Sequence, residues 1–230
     1  MLEIIGQQHQ LPLAAEYSSP ADRSRQKRSI GFADKFWPTG STLRISFVNE
    51  PGKALKNAIF EAACTWLPFV NLQFKLVEDD LFEAEIKIHT GGDPSQNHSM
   101  YGTESRKAAG ASMVLGVTPD MDSFEYTVIH EFGHALGMQH EHQHPEADIP
   151  WDIPKVYAYY AAKGHDQETV DESVLGKSDD PHMKITPYDR NSIMHYPIDQ
   201  ALTLGDWEVG INRQISEKDK AFMRMIYPKS

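Results

Sequence analysis

The chain has 230 residues, of which 40% are hydrophobic and 24% charged, so it can form one large domain or two small ones, and wholesale disorder is excluded. Its 22 Lys and Arg against 33 Asp and Glu give a formal net charge of −11, which argues against a nucleic-acid-binding protein because an acidic surface repels phosphate. No apolar run approaches the roughly 20 residues that cross a bilayer, so no membrane span is expected, and the single cysteine, Cys64, excludes an intramolecular disulfide and a multi-cysteine zinc site.

The N-terminal residues 1–28 are polar and end in the basic run Arg23-Ser-Arg-Gln-Lys-Arg28. They lack the basic start and continuous apolar stretch of a secretory signal. Two interpretations stay open: a flexible arm, or the remnant of a propeptide that a trypsin-like protease removes by cutting after Arg28. In either case the sequence predicts a division into residues 1–28 and a folded domain over 29–230.

The first half of the folded domain predicts a twisted sheet with a helix packed on it. Alternating apolar residues predict strands, and helical spacing of apolar residues predicts a helix. In chain order the predicted elements are a strand at 43–48, a helix at 53–66, and strands at 72–76, 86–88 and 112–117. Cys64 lies in the helix, where it is either a small buried apolar residue or a metal-binding switch cysteine.

The sequence of the second half of the domain predicts fewer helices and strands. A helix begins after Asp122 or Ser123 and ends at Gly137, which can take the left-handed conformation of a helix terminator. Its predicted apolar face comprises Val128, Phe132, Ala135 and Leu136. Residues 155–163 also predict a helix, and 164–192 predict mostly loop.

The last predicted helix begins at Ser216, with Asp219 in the reciprocal capping position. It presents Phe222, Met225 and Ile226 to the interior. The whole order of elements is typical of the α+β class.

Residues 130–141, HEFGHALGMQHE, indicate a metal site. His130 and His134 are one helical turn apart and project from one face, and a sharp exit at Gly137 can bring His140 back as a third ligand. Three imidazoles around zinc leave a fourth position for water, as in catalytic sites. Glu131 lies next to a ligand and can accept a proton from that water.

A second cluster, Ser192-Ile-Met194-His-Tyr196, lies further along the chain, with its methionine 54 residues after His140. A methionine below such a site would give it an apolar, polarisable base, and the tyrosine could bring a phenol to the metal or to a developing oxyanion. His142 and His144 are interpreted as residues that support the site or lie at the surface rather than as ligands.

These features resemble the astacin family of zinc endopeptidases within the metzincins, in its bacterial and fungal branch. The residues that carry the resemblance are the signature from His130 to His140, Glu141 directly after it, Met194-His195-Tyr196, and Trp37-Pro38-x-Gly40. The similarity extends from about residue 36 to 228. It implies a two-lobed α+β zinc protease fold, with a twisted N-terminal sheet and packed helices followed by an irregular C-terminal lobe that ends in a helix.

The resemblance also implies roles for single residues. His130, His134 and His140 would bind Zn²⁺, with Glu131 as general base. Met194 would form the Met-turn, Tyr196 would be the switch tyrosine that stabilises the tetrahedral intermediate, and Glu141 would bind the buried amino terminus of a matured enzyme. Residues 29–230 would then be the catalytic domain of a zymogen.

The expected reaction is hydrolysis of internal peptide bonds in protein or peptide substrates, with the substrate extended along the strand at 112–117. Two alternatives stay open: a zinc amidase acting on a non-peptide amide, and a zinc-bound binding module without turnover. We expect a monomer without nucleic-acid partners. A secreted location is expected, although an injected effector and a cytoplasmic protein also fit the sequence.

Overall fold

A computed structural model describes residue 31 and residues 33–78, 83–178 and 183–229. The expected arm over 1–28 and the expected start of the domain at residue 29 lie outside the described residues. Within the described part, the longest helix has 12 residues, and no helix is long and apolar enough to span a membrane.

The N-terminal half is built on one five-stranded sheet. Its strands are β1 (Thr42–Phe47), β2 (Gln73–Leu76), β3 (Ile86–Thr90), β4 (His98–Ser99) and β5 (Met113–Leu115). Their order across the sheet is β2-β1-β3-β5-β4. All neighbouring pairs are parallel except β4 and β5, which run antiparallel.

The sequence did not predict β4, and this changes which strand forms the edge of the sheet. Met113 pairs with Ile88 of β3 on one side and with Ser99 of β4 on the other. A central strand has no free backbone groups with which to pair an additional chain. The expectation that a substrate adds to residues 112–117 is therefore wrong, because the edge strand there is β4.

Helix α1 (Lys53–Ala63) and helix α2 (Phe124–Ala135) pack beside the sheet. The predicted helix over 53–66 ends earlier, because the chain tightens into a 3-10 turn at Cys64–Phe69 that contains Pro68. The large core between sheet and helices includes the fully buried Leu43, Ile45, Ile59, Trp66, Ile86, Ile88, Met113, Leu115, Phe132 and Leu136.

The C-terminal half is mostly irregular, as predicted, and contains α3 (Ile153–Ala161), α4 (Gln167–Val170) and α5 (Glu217–Ile226). The sequence did not predict α4 or the π turn at Asp171–Leu175 that follows it. A second, smaller apolar cluster of Val156, Val170, Val174 and Leu202 lies under these elements.

Helix α5 begins with the predicted capping box, in which Ser216 and Asp219 each bond the other's backbone N–H. The predicted inward face is partly wrong: Met225 is 51% exposed, whereas Met223 is fully buried. Since Phe222 is also buried, the apolar stripe of α5 passes through positions 222, 223 and 226.

Candidate active site

Helix α2 is anchored at its C-terminal end by side chains from distant parts of the chain. The indole Nε1 of Trp37 donates a hydrogen bond to the Ala135 carbonyl (2.8 Å), and the hydroxyl of Tyr227 donates to the Leu136 carbonyl (2.7 Å). The last carbonyls of a helix have no partner inside it, so these bonds satisfy groups that would otherwise be buried and unpaired. The end of the helix that carries His134 is thereby held in place.

Gly137 lies just after the C-terminal end of helix α2, as the sequence predicted for a helix terminator. Its φ of +98° lies in the region that glycine enters without steric cost, and an added Cβ would lie 2.7 Å from a ring carbon of Phe36. The backbone N–H of Met138 then bonds the Gly133 carbonyl (2.9 Å) as the chain reverses. This reversal brings His140 back towards the helix.

The three predicted histidines converge. Each offers a ring nitrogen, and these atoms lie within 4.8 Å of one another. The Nε2 atom of His140 is 3.3 Å from Nε2 of His130 and 3.0 Å from Nε2 of His134. Among the described residues this is the one group of three or more His, Cys, Asp or Glu whose ligand atoms come together in this way.

The direction of the lone pairs follows from two backbone carbonyls. Nδ1 of His130 lies 2.8 Å from the Ile193 carbonyl, and Nδ1 of His134 lies 2.8 Å from the Met138 carbonyl. A carbonyl oxygen only accepts, so each Nδ1 carries the proton and each Nε2 presents a lone pair. Such lone pairs repel one another unless a cation lies between them.

The geometry fits a zinc ion. Zn–N bonds of 2.0–2.1 Å in a tetrahedron place the nitrogen atoms about 3.3 Å apart. The observed separations of 3.0 and 3.3 Å are close to that spacing. The donor set and its spacing therefore suit zinc bound by His130, His134 and His140.

Burial keeps the histidines ready to bind a metal. Removal from water lowers the pKa of His130 to about 4 and holds the pKa of His134 well below its usual value, with the neighbouring His130 as a second cause. Both rings are consequently neutral at pH 7, as a metal ligand must be.

Glu131 is buried beside the first ligand. Its side chain is 5% exposed, and among the described residues its Oε2 atom has no hydrogen-bond partner. Burial raises the pKa of Glu131 to about 8, and a divalent cation nearby would favour the ionised form instead. A buried carboxylate oxygen without a partner, on the residue that directly follows a candidate metal ligand, is suited to hold a water molecule.

Met194 packs under helix α2, against Gly133, which was not among the predicted site residues. The side chain is fully buried, and a Cβ added to Gly133 would lie 2.4 Å from its Sδ atom. Only glycine at position 133 allows this approach. The signal was a glycine in the interior of a predicted helix, which often marks close packing.

The ring of Tyr196 lies beside the third histidine, with ring centroids 4.1 Å apart. It also stacks on His142, with ring centroids 4.4 Å apart and an interplanar angle of 16°. His142 in turn donates from Nε2 to the Ser173 carbonyl (3.0 Å). The predicted tyrosine is thus brought to the histidine cluster, and His142 packs against its ring.

Glu141 belongs to a group of buried carboxylates behind the site. Its Oε1 atom accepts from the backbone N–H of Asp189 (2.8 Å), and burial raises its pKa to about 9. Asp189 and Asp219 are also buried, at 8% and 3% exposure.

The remaining candidate ligands stay outside the cluster. His142 and His144 are both buried, and His144 Nε2 bonds the Thr186 carbonyl (2.6 Å), in line with the interpretation that neither is a ligand. Cys64 is half-buried, and burial raises the pKa of its thiol, which favours the small apolar role over the switch cysteine.

Comparison with known proteins identifies the family. The model of the peptidase family Astacin matches residues 33–227. The chain belongs to the astacin family. A search of curated proteins gave no match.

Solved structures agree with this membership. One titled "Structure of myroilysin" is 33% identical, with a TM-score of 0.81, and the match covers 88% of this chain and all of that one. A crystal structure of myroilysin is 34% identical, with a TM-score of 0.63 over 85% of this chain and 86% of that one. A medaka (Oryzias latipes) hatching enzyme, described as a zinc-protease, shares the fold at 18% identity and a TM-score of 0.61, over 88% of this chain and 98% of that one.

As an astacin, the chain is a zinc metalloendopeptidase with a two-lobed α+β fold. The zinc cofactor, the peptidase activity and the fold class predicted from the sequence are confirmed.

Proposed function

We propose that this astacin hydrolyses internal peptide bonds of proteins with Glu131 as the general base and Tyr196 as a hydrogen-bond donor to the carbonyl that is attacked. The observation that carries the proposal is the convergence of three imidazole rings, two of which present Nε2 lone pairs, together with a buried carboxylate oxygen on Glu131, the residue directly after His130, that has no partner among the described residues.

Zinc held by His130, His134 and His140 would lower the pKa of a coordinated water towards about 7 and polarise the substrate carbonyl. Glu131 accepts the proton of the attacking water and later passes it to the leaving amine. The Tyr196 hydroxyl stabilises negative charge on the carbonyl oxygen, which is supported by its ring contact with His140. Met194 keeps the underside of the site apolar, which its full burial against Gly133 supports.

A substrate peptide would add to the sheet at β4 rather than at β5. The inner side of β4 is taken by β5, so its outer side is the edge at which an extended peptide can form main-chain hydrogen bonds. Side-chain pockets near the cleaved bond would then select the substrate.

The experiment is an incubation with casein and with a peptide library, with and without a chelator. Cleavage inside peptides that stops with the chelator and returns with zinc is expected. Cleavage restricted to small non-peptide amides would favour the amidase, and no turnover would favour a binding module; either outcome contradicts the proposal.

Glu131→Gln is the matched variant for the same assay. It keeps the shape of the side chain but removes the base, so kcat should fall by at least about 10²-fold while zinc content stays at the level of the unmodified protein. Wild-type kcat in this variant would remove Glu131 from the mechanism.

We further propose a zymogen in which cutting after Arg28 separates residues 1–28 from the catalytic domain 29–230 and brings the new terminus near Glu141. Gly31 supports this, because an added Cβ there would lie 3.2 Å from the Gly137 carbonyl, close to the end of α2. The backbone N–H of Lys184 also bonds the Gly31 carbonyl (3.0 Å). Mass spectrometry of the most active form should find Ser29 as its first residue, and a fully active chain beginning at Met1 would refute the proposal.

A secreted monomer fits this maturation scheme, and we propose both features with it. Size-exclusion chromatography should give the mass of one chain, and fractionation of a culture of the source organism should place the active form in the medium. A stable dimer, or activity confined to the cells, would contradict them.

A further inference from the structure

Asp219 is a buried carboxylate, 3% exposed, that lies against the Met-turn around Ser192. It occupies the first turn of α5, where it forms half of the capping box. Its Oδ2 atom accepts from the backbone N–H groups of Ser216 and Ile193, both at 2.9 Å, so one carboxylate oxygen joins the start of α5 to the Met-turn.

The other oxygen, Oδ1, starts a chain of hydrogen bonds that ends at a zinc ligand. Ser192 Oγ donates to Asp219 Oδ1 (2.6 Å) and accepts from the backbone N–H of Met194 (3.0 Å). That N–H belongs to the peptide group whose carbonyl, on Ile193, accepts from Nδ1 of His130 (2.8 Å).

Two backbone groups determine which atom donates in each of these three hydrogen bonds. The Met194 N–H can only donate, so Ser192 Oγ accepts there and its own hydrogen goes to the carboxylate. The Ile193 carbonyl can only accept, so His130 Nδ1 donates. The order is therefore carboxylate, hydroxyl, peptide and imidazole, with each group donating towards Asp219.

Hydrogen bonds in such a series polarise one another, and the amide resonance of the peptide transmits the effect from N–H to C=O. Ser192 and Met194 are fully buried and His130 is 7% exposed, so water screens the series little. Ligating histidines in many metal sites donate their second N–H to a carboxylate, which raises the basicity of the ligand nitrogen.

We propose that Asp219 is a positioning residue for the metal site, which acts on His130 through Ser192 and the 193–194 peptide and strengthens zinc binding. The proposal rests on the zinc assignment. Asp219 raises the basicity of His130 through three successive hydrogen bonds. In other metal sites a carboxylate bonded directly to the histidine has this effect.

The chain offers a matched control. Ser216 Oγ also donates to a buried carboxylate, Asp189 Oδ2, at the same 2.6 Å, and it accepts the backbone N–H of Asp219 (3.0 Å). Ser216→Ala removes a cap of α5 and leaves the series to His130 complete. Ser192→Ala breaks the series.

The experiment measures zinc affinity by competition with a chelator and, separately, the unfolding of the metal-free proteins in denaturant. Ser192→Ala should weaken zinc binding about tenfold, in the range found for outer-shell partners, whereas Ser216→Ala should stay within about twofold of the wild type. Equal zinc affinities for the two alanine variants, or wild-type affinity for Ser192→Ala, would overturn the proposal.

If Ser192→Ala does not fold, the Asp219→Asn variant provides a second test of the proposal. Its amide oxygen can keep both backbone N–H bonds, but its NH₂ would face Ser192 Oγ as a donor and reverse that bond. Zinc affinity should fall by more than in Ser216→Ala, and an unchanged affinity would overturn the proposal. A wild-type protein that binds no zinc would instead contradict the zinc assignment itself.

Discussion

At the scale of the residue, backbone carbonyls determine which ring nitrogen of His130 and of His134 carries the proton. Because Ile193 and Met138 supply the acceptors for the two Nδ1 protons, the Nε2 lone pairs point at His140. The spacing of the signature predicted the three histidines, but it could not predict the Ile193 acceptor, since Ile193 is 63 residues from His130 along the chain.

Tyr196→Phe tests the proposed role of the phenol. The ring and its contacts with His140 and His142 stay, so binding should change little, while kcat falls by roughly 10²-fold because one donor to the oxyanion is lost. Steady-state kinetics give kcat and KM separately. Tyr159→Phe, a change on α3 of a hydroxyl that pairs with Lys163, is the control, and an unchanged kcat in Tyr196→Phe would remove the phenol from the mechanism.

Gly133→Ala tests the contact between the zinc-binding helix and Met194. Alanine favours a helix by up to about 1 kcal/mol over glycine, but its Cβ would overlap Met194 Sδ, and overpacking typically costs about 1–3 kcal/mol. We expect a net loss of stability in denaturant unfolding together with weaker zinc binding. Gly210→Ala is the control, since a Cβ there meets nothing within 4 Å, and a Gly133→Ala protein as stable as wild type would refute the packing argument.

At the scale of the element, the strongly patterned segments were predictable. Alternation predicted β1, and helical spacing predicted α1. The two-residue β4 carries no pattern of its own, and Asn97, just before it, accepts a hydrogen bond from the Gly116 N–H just after β5. The position of Met223 rather than Met225 inside α5 depends on how the whole helix is rotated against the core, which the periodicity of one short helix leaves undetermined.

Asn97→Ala tests the proposed substrate edge. Asn97 is buried, and its side chain accepts from the Gly116 N–H (2.7 Å) and donates to the Pro94 carbonyl (2.6 Å). The substitution leaves the buried N–H of Gly116 without a partner, which costs about 1–3 kcal/mol in the free energy of unfolding. It also weakens the attachment of β4 to β5. KM should rise several-fold with a smaller change in kcat, whereas the exposed Gln96→Ala should behave as wild type. Unchanged KM in Asn97→Ala would count against substrate pairing at β4.

At the scale of the whole molecule, the site joins the two halves of the chain. The part of the chain up to the end of α2 contributes His130 and His134, and the part after α2 contributes His140, the turn around Met194, Tyr196 and Asp219. The sequence predicted the fold class and the ligands, because both follow from local patterns and from the signature. It could not predict the hydrogen bonds from Asp219 to the Met-turn, because they join residues 26 and 27 positions apart that come together only in the folded chain.

Zinc should also stabilise the folded chain. A ligand that binds only the native state adds about 2.7 kcal/mol to the free energy of unfolding when its free concentration is 100 times its Kd. Thermal unfolding should therefore occur at a lower temperature after treatment with a chelator and return to its former value when zinc is restored. Identical melting temperatures in the two states would show that zinc binding is not coupled to folding.

Elemental analysis of the purified protein, saturated with zinc and then dialysed against metal-free buffer, tests the central claim most directly. We expect one zinc ion per chain in the wild type and in Glu131→Gln, and essentially none in His140→Ala, which removes the ring whose Nε2 lies within 3.3 Å of both other ligands. A metal-free wild-type protein after this treatment, or a His140→Ala variant that retains zinc fully, would contradict the account.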